Sequence, residues 1–436
     1  MSTSATVNAG GYLENLLAGQ PHLPASTLAW LNVLRAEAVD RVGALTVPTL
    51  RDEEWRFTDI SQLTKMSFHP VRATISLQVA DIERFYIEEA TTRLVFVDGV
   101  YAPQLSSDVS DIGVAVVNLE AGFAAHAAAI EPYLGRLTGF RDNVFAALNT
   151  AFLHDAALIV VPRDIAVAVP VHLLFIATQK DVVSYPRCLF LAESGSAVTV
   201  IEDYVSLQED AYFTNAVTEI ALIDNARVNH IRVQREGAKA FHIANCAVSL
   251  ARASNYQSVS VAFGARISRY NLNVQLAEGA ECAVDGLALI SGRQLADTHT
   301  CIDHAKPQAA SNQSHKCIVG GSAHAVFNGK VVVRQGAQRT DSKQSNRNLL
   351  LTSKAHVDTK PQLEIFADDV KCTHGATIGQ LDDEEVFYLR SRGLSDTAAR
   401  NMLTYAFGAE IIERIPISSL KYKLEQTVLE QTTAQL

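Results

Sequence analysis

A cysteine and a histidine lie two positions apart in residues 371–379, KCTHGATIG. If this segment is a β-strand, the side chains of Cys372 and His374 point to the same face, and both can reach one metal ion. An isolated Cys-x-His pair is more often a buried thiol beside a turn histidine. A complete zinc site also needs further donors nearby, usually in paired spacing. We therefore expect any metal at this pair to take its other donors from elsewhere, such as another chain.

Histidine and cysteine are most concentrated in residues 297–304, DTHTCIDH, which are followed by SHKC at residues 314–317. This region can be read as a zinc or iron site. Its spacing matches no zinc-finger pattern, so a metal site here is the less favoured interpretation. The sequence contains no P-loop, no GxSxG and no HExxH motif. No nucleotide-binding or hydrolytic motif of these classes is therefore present.

The composition is that of an ordinary globular protein. The 436 residues are 48% hydrophobic and 19% charged, and the net charge of -10 argues against a nucleic-acid partner. The N-terminus has no signal or transit pattern, and the apolar residues 165–178 are too few to span a bilayer. We expect a cytoplasmic protein whose six cysteines are reduced and mostly buried.

The elements that position these residues fall into three predicted regions. Residues 1–85 are expected to form an N-terminal helical region, and residues 86–380 a β-rich core with a helical insert near 118–153. Within the core, apolar Tyr270, Leu272, Val274 and Leu276 alternate with polar residues, and Gly-Ala pairs separate the strands. No helical patterns separate these strands, which favours a stacked solenoid or β-helix, although a sandwich remains open.

Residues 381–436 are predicted to be a C-terminal helical region. Asp382 can cap a helix that ends at Gly393, and Ser395 can cap a longer helix that stops before Pro416. A last amphipathic segment begins near Ser419.

Three segments resemble the SufB/SufD family, the scaffold subunits of the SUF system for iron–sulfur cluster assembly, and resemble its SufD branch more closely. They are RDEEWRFTDI at residues 51–60, FAALNTAFLHDAALIVVP at residues 145–162, and the long segment at residues 361–393. The resemblance implies a mainly β fold with a right-handed parallel β-helix core, flanked by N-terminal and C-terminal α-helical regions. It also implies a SufB partner and an ATPase partner, SufC, that docks on the C-terminal helices.

The same resemblance assigns roles to individual residues. His374 takes the position that is associated with cluster assembly at the SufB–SufD interface, and Cys372 takes the neighbouring cysteine position, whose role is less secure. The residues expected to contact SufC are Tyr388, Arg392, Gly393, Met402 and Phe407. For Met402 and Phe407 an alternative stays open, namely that they pack the tail on the β-core.

Two functions of different classes follow from these observations. The first is a non-enzymatic scaffold that shares a transient iron–sulfur cluster with SufB, while ATP hydrolysis takes place in SufC. The isolated chain is expected to hydrolyse no ATP and to retain no stable cluster. In isolation it can form a homodimer. The second is a β-helix carbohydrate-active enzyme, which is the weaker interpretation because such enzymes are commonly secreted.

Overall fold

The computed structural model describes residues 9–20, 23, 25–71, 74–107 and 113–433. The other residues of the predicted terminal regions, namely 1–8, 21–22, 24, 72–73 and 434–436, lie outside the described residues. The helices are α1 Ala9–Leu17, α2 Ala29–Ala44, α3 Val79–Ile82, α4 Leu119–Ile130, α5 Val144–Ala151, α6 Asp383–Ser391, α7 Asp396–Ile412 and α8 Ser418–Thr433. None of these described helices combines the length and the hydropathy that a bilayer crossing requires.

The strands are mostly about ten residues long and follow one another through the middle of the chain. They are β1 His69–Pro70, β2 Thr92–Val97, β3 Val100–Tyr101, β4 Ala115–Asn118, β5 Ala157–Val161, β6 Val171–Ala177, β7 Val182–Ser184, β8 Arg187–Ala192, β9 Ala197–Ser206, β10 Phe213–Leu222, β11 Arg227–Arg235, β12 Phe241–Leu250, β13 Asn255–Ala262, β14 Ile267–Leu276, β15 Glu281–Ile290, β16 Leu295–His304, β17 Ala310–Val319, β18 His324–Val333, β19 Thr340–Leu350, β20 His356–Ile365 and β21 Val370–Gly379.

Successive strands alternate between two sheets and so form the coils of a solenoid. Sheet A runs β4-β5-β8-β10-β12-β14-β16-β18-β20, and sheet B runs β3-β2-β6-β9-β11-β13-β15-β17-β19-β21. From β5 onwards the pairings within each sheet are parallel. The predicted parallel β-helix, flanked by helices at both termini of the chain, is confirmed, and the solenoid has about eight turns. The sandwich is excluded because the strands from β5 onwards pair in parallel with the strand one coil away.

Side chains alternate between the interior of the coil and its outer faces. Leu272 and Val274 in β14 are buried in the interior cluster, whereas Asn273 between them faces outward and is exposed. In β13 the apolar residues Val259 and Val261 point outward instead. Helices α7 and α8 cover them with a set of buried aliphatic side chains, namely Ile411, Ile412, Leu420, Leu424 and Val428. The C-terminal helices therefore form part of the packed core of the protein.

The predicted helix caps in the tail are confirmed. The Asp382 carboxylate accepts a hydrogen bond from the Glu384 amide at 2.8 Å, and the Ser395 hydroxyl accepts one from the Ala398 amide at 3.1 Å. Helices α4 and α5 fall within the region predicted as an insert, and α5 packs against α2. The exact division of the chain into three regions stays a prediction.

Candidate functional site

The Cys-x-His pair lies on β21, the last strand of the solenoid. This strand pairs with β19 on one side and is the terminal strand of sheet B. Cys372 and His374 occupy alternate positions on it, so they share one face, as the sequence predicts. Most of the strand is exposed, and its backbone presents an open sheet edge in the described structure. The pair therefore sits where a further strand or another chain could continue the sheet.

Cys372 is half-buried and faces the interior of the final coil. It packs beside Val331, Val333 and Ala337, and its register partner in the coil below is Ser342. Burial raises the pKa of the Cys372 thiol, and the nearby Asp341 carboxylate adds to that increase. The thiol is therefore protonated at neutral pH, and a metal ion has to displace its proton in order to bind.

His374 is exposed, and it stands above a column of interior amides. Its register partner Gln344 is buried, and Gln313 is the next residue down the same column. The side-chain oxygen of Gln313 accepts a hydrogen bond from Thr300 at 2.7 Å. Within the described residues neither side-chain amide atom of Gln344 has a hydrogen-bond partner. A buried amide without a hydrogen-bond partner is stabilised by a polar group beside it. The His374 imidazole is the next side chain in this column.

A second polar column lies under Cys372. The Ser342 and Ser311 hydroxyls are 2.8 Å apart, and His304 Nε2 lies 2.9 Å from the Ser311 hydroxyl oxygen. Burial lowers the pKa of His304 to about 4, so this imidazole is neutral at physiological pH. The end of the solenoid thus presents a thiol and an imidazole over polar columns instead of an aliphatic core.

The pair is incomplete as a metal site on its own. In the part of the chain that the structure describes, neither Cys372 nor His374 belongs to a group of three potential ligands. A cluster or a metal ion at this edge would need donors from a second chain, because cluster irons are normally held by several thiolates.

The second His/Cys region does not assemble as a metal site. Strand alternation divides β16, so that His299 and Cys301 face outward while His304 faces inward. His299 Nε2 lies 3.0 Å from Asp297, and its Nδ1 lies 3.4 Å from Glu54. Among the described residues no group of three ligand atoms forms in this region. The histidine here instead joins a network of ion pairs.

That network holds the segment RDEEWRFTDI on the outer face of sheet A. Arg269 forms an ion pair with Asp297 at 2.5 Å, and its guanidinium lies 3.8 Å from the centroid of the Trp55 ring. The Thr58 hydroxyl also donates a hydrogen bond to Asp297. Trp55 packs on Phe145, with ring centroids 5.6 Å apart. Trp55 thereby packs against helix α5.

The predicted ATPase-contact residues separate into two environments. Tyr388 and Met402 are 60% and 53% exposed, and they line an apolar hollow of about 400 Å³ between α6 and α7. Its other walls are Glu384, Glu385, Leu389, Leu403 and Ala406. Phe387, which the sequence reasoning missed, is 71% exposed beside them on α6. The signal for it was available, because a phenylalanine in a short helix led by acidic residues has few apolar neighbours to bury it.

The remaining predicted contact residues have distinct positions. Arg392 is exposed, with its guanidinium 6.0 Å from the Tyr388 ring centroid. Gly393 follows the end of α6 at Ser391 and has a φ of +98°, in the region that favours glycine. Phe407 is half-buried against the apolar cluster under α7, and the Lys316 ammonium lies 4.5 Å from its ring centroid. Phe407 therefore packs on the β-core, whereas the Met402 side chain faces solvent.

Comparison with known proteins links this architecture to a family. The family model described as SUF system FeS cluster assembly, SufBD core domain, matches residues 175–407, and SufBD protein N-terminal region matches residues 11–173. An iron–sulfur cluster assembly SufBD family protein of Synechocystis is 43% identical over 408 residues, covering 90% of this chain and 89% of that protein. Iron–sulfur cluster assembly protein SufD of Escherichia coli is 34% identical over 425 residues, covering 94% and 97%. The SufD protein of Bacillus subtilis is 25% identical over 421 residues, covering 92% and 93%.

Proposed function

Because this chain belongs to the SufB/SufD family of iron–sulfur cluster assembly proteins, we propose that it is a SufD-type scaffold subunit without catalytic activity of its own. In this proposal it pairs with a SufB subunit at the open end of the solenoid and with the ATPase SufC at α6 and α7. ATP hydrolysis takes place in SufC. The protein works in the cytoplasm, where its six free cysteines stay reduced.

The observation that carries this proposal is the open end of the solenoid. Strands β20 and β21 are the terminal strands of their sheets, and apolar Ile365, Phe366 and Ile378 are exposed beside them. Proteins usually cover or charge such edges, because an exposed apolar edge pairs readily with other chains. A partner β-helix is the natural cover, and without SufB a second copy of this chain can take that place. The family match does not favour the carbohydrate-active enzyme.

The chemistry at this edge suits a nascent cluster that is cargo and is shared between two chains. Iron–sulfur clusters are held mainly by thiolates, and imidazole replaces thiolate on some irons. His374 is exposed and makes no hydrogen bond within the described residues, so its nitrogen is available to bind. Cys372 is protonated and half-buried, so it is the second and less accessible donor. In this proposal SufB supplies the remaining thiolates.

The apolar hollow between α6 and α7 supports the ATPase contact. Helix α7 packs directly on β15 and β17, so a force applied at α6 and α7 acts on the core itself. Lys316 in β17 donates a hydrogen bond to the Phe407 carbonyl at 2.9 Å and also pairs with Glu410 in α7. Nucleotide-driven movement of SufC would thereby be transmitted to sheet B and to its terminal strand β21.

The decisive experiment is His374→Ala in the complex co-expressed anaerobically with SufB and SufC. We expect cluster content per folded complex to fall severalfold, because alanine has no nitrogen donor. Stability should change by no more than about 0.5 kcal/mol, because the side chain is exposed. Iron and sulfide analysis and thermal unfolding are measured on the same preparation.

His69→Ala is the matched control, since His69 is an exposed strand histidine in β1. It should leave both cluster content and stability unchanged. Normal cluster content in the His374→Ala complex would remove His374 from the site. A loss of stability of about 1 kcal/mol with unchanged cluster content would instead assign His374 a structural hydrogen bond.

A further inference from the structure

Two histidines and an aspartate meet on the outer face of sheet A in the last two coils. His324 begins β18, His356 begins β20, and the two are register partners on neighbouring strands. Asp358 lies two positions after His356 and therefore on the same face. The imidazole ring centroids are 4.9 Å apart. Asp358 Oδ2 lies 2.8 Å from His324 Nε2 and 3.2 Å from His356 Nε2.

The arrangement of ligand atoms is compact enough for one metal ion. The three ligand atoms lie within 4.8 Å of one another. Tetrahedral zinc with bonds of about 2.0–2.1 Å requires ligand atoms about 3.3 Å apart, which is close to the two distances from Asp358. A change of imidazole tautomer moves the proton from Nε2 to Nδ1 and frees the Nε2 lone pair. For the two atom pairs that involve Asp358, binding therefore needs side-chain adjustments of less than about one ångström.

The charge balance also suits a divalent cation. Within the described residues no lysine or arginine lies within ion-pair distance of Asp358, and its partners are the two imidazoles. The nearby Lys360 is paired with Glu53 instead. No lysine or arginine side chain of the described residues is therefore paired with the Asp358 carboxylate in competition with a bound cation.

We propose that His324, His356 and Asp358 bind one divalent first-row transition metal ion, such as Zn²⁺ or Fe²⁺. Two imidazoles and a carboxylate favour these ions over Mg²⁺ and Ca²⁺, which prefer oxygen ligands throughout. The side chains of His324 and Asp358 are about one-quarter exposed and that of His356 is 65% exposed, so the site opens to solvent on the His356 side. The open side leaves a coordination position for water or for a donor from a docked partner.

The site is separate from the Cys372 and His374 pair. The pair lies on β21 in sheet B and faces the interior, whereas this cluster lies on the outer face of sheet A. A metal bridging His324 and His356 would cross-link β18 to the terminal strand β20. Its loss or gain can be measured without any assembled cluster.

The test uses the purified full chain, stripped with a chelator and titrated anaerobically with Co²⁺ while visible absorption is recorded. We expect one Co²⁺ per chain with ligand-field bands and without thiolate charge-transfer bands, displaced by Zn²⁺ in competition. Direct binding of Fe²⁺ is measured by equilibrium dialysis, and Mg²⁺ should not compete.

Three variants locate the metal. His324→Ala, His356→Ala and Asp358→Asn should each weaken Co²⁺ binding by about tenfold or more. His69→Ala, which changes the exposed histidine of β1, is the control and should bind as the unmodified chain does. His356→Gln removes the nitrogen donor at the most exposed position, so it keeps the test valid if another variant misfolds. Absence of stoichiometric binding at tens of micromolar Co²⁺, or binding that all these variants retain, would overturn the proposal and leave a hydrogen-bonded cluster only.

Discussion

Replacement of Asp297 by asparagine tests the network that fastens the segment RDEEWRFTDI to the solenoid. Asp297 is buried. Its carboxylate pairs with Arg269 and His299 and accepts a hydrogen bond from the Thr58 hydroxyl. Asparagine preserves its shape but leaves the buried Arg269 guanidinium without a carboxylate. Removing one partner of a buried ion pair costs about 3–5 kcal/mol. We expect Asp297→Asn to lower the free energy of unfolding by this amount at pH 5.5.

The pH dependence gives a second and independent measure. Burial opposes ionisation of Asp297, but Arg269 and His299 outweigh it and lower its pKa from 3.8 to about 2. This difference is worth about 2 kcal/mol, which is fully present above the unfolded pKa and is lost as the pH falls through the folded pKa. Only about half of it remains near pH 3. Arg269 stays charged in this range, and His299, whose pKa is raised overall because Asp297 and Glu54 outweigh its burial, stays protonated.

Urea unfolding followed by circular dichroism at pH 5.5 and pH 3.0 measures both effects. The gap between the unmodified chain and Asp297→Asn should narrow by about 1 kcal/mol at the lower pH. Asp303→Asn is the control on the same strand, because Asp303 pairs with the exposed Arg334 and should change stability by less than about 1 kcal/mol. A gap that is equal at both pH values, or smaller than about 1 kcal/mol at pH 5.5, would refute the assigned role of Asp297.

Two further predictions concern the C-terminal helices. Met402→Glu should reduce capture of SufC in a pull-down by at least about tenfold. Tyr422→Glu, which changes a similarly exposed residue on α8, should leave capture unchanged. Equal capture of SufC by the two variants would show that the hollow is not part of the interface. Gly393→Val should weaken hydrogen-exchange protection of α6 by about 1–3 kcal/mol, because φ at this position is +98°. Gly375→Ala should leave the protection unchanged, because a Cβ there meets no neighbouring atom. Unchanged protection in Gly393→Val would contradict the need for glycine.

Local sequence signals predict the elements that depend on local chemistry. The carboxylate of Asp382 and the hydroxyl of Ser395 cap their helices because each bonds to an amide two or three residues away. The alternation of apolar and polar side chains in β14 is also confirmed, because it depends only on the geometry of a single strand. Such signals can also mislead: Ser26 and Thr27 precede α2 in the sequence and would suggest a cap, but α2 begins at Ala29 after Leu28, and the Ser26 hydroxyl accepts a hydrogen bond from the Leu28 amide instead.

Contacts between coils could not be predicted in this way, because the coil length varies. In sheet A the first residues of neighbouring strands are register partners, for example Phe241 with Ile267, Ile267 with Leu295, and His324 with His356. These steps are 26, 28 and 32 residues, so no single period aligns the columns. The meeting of His324 with His356 follows from this register alone. The dense His/Cys region looked more promising in sequence, but strand alternation divides it between two faces.

The position of a residue within the stack decides whether an inward-facing side chain can be functional. Gln344 and His374 occupy the same column and face the same way, yet Gln344 is buried because β21 covers it. His374 is exposed because no described strand follows in sheet B. One more coil would bury the imidazole and end its access to a partner's thiolates. The end of the β-region at residue 379 is therefore as necessary to the proposed site as the histidine itself, and a SufB subunit that docks there would complete the site by covering it.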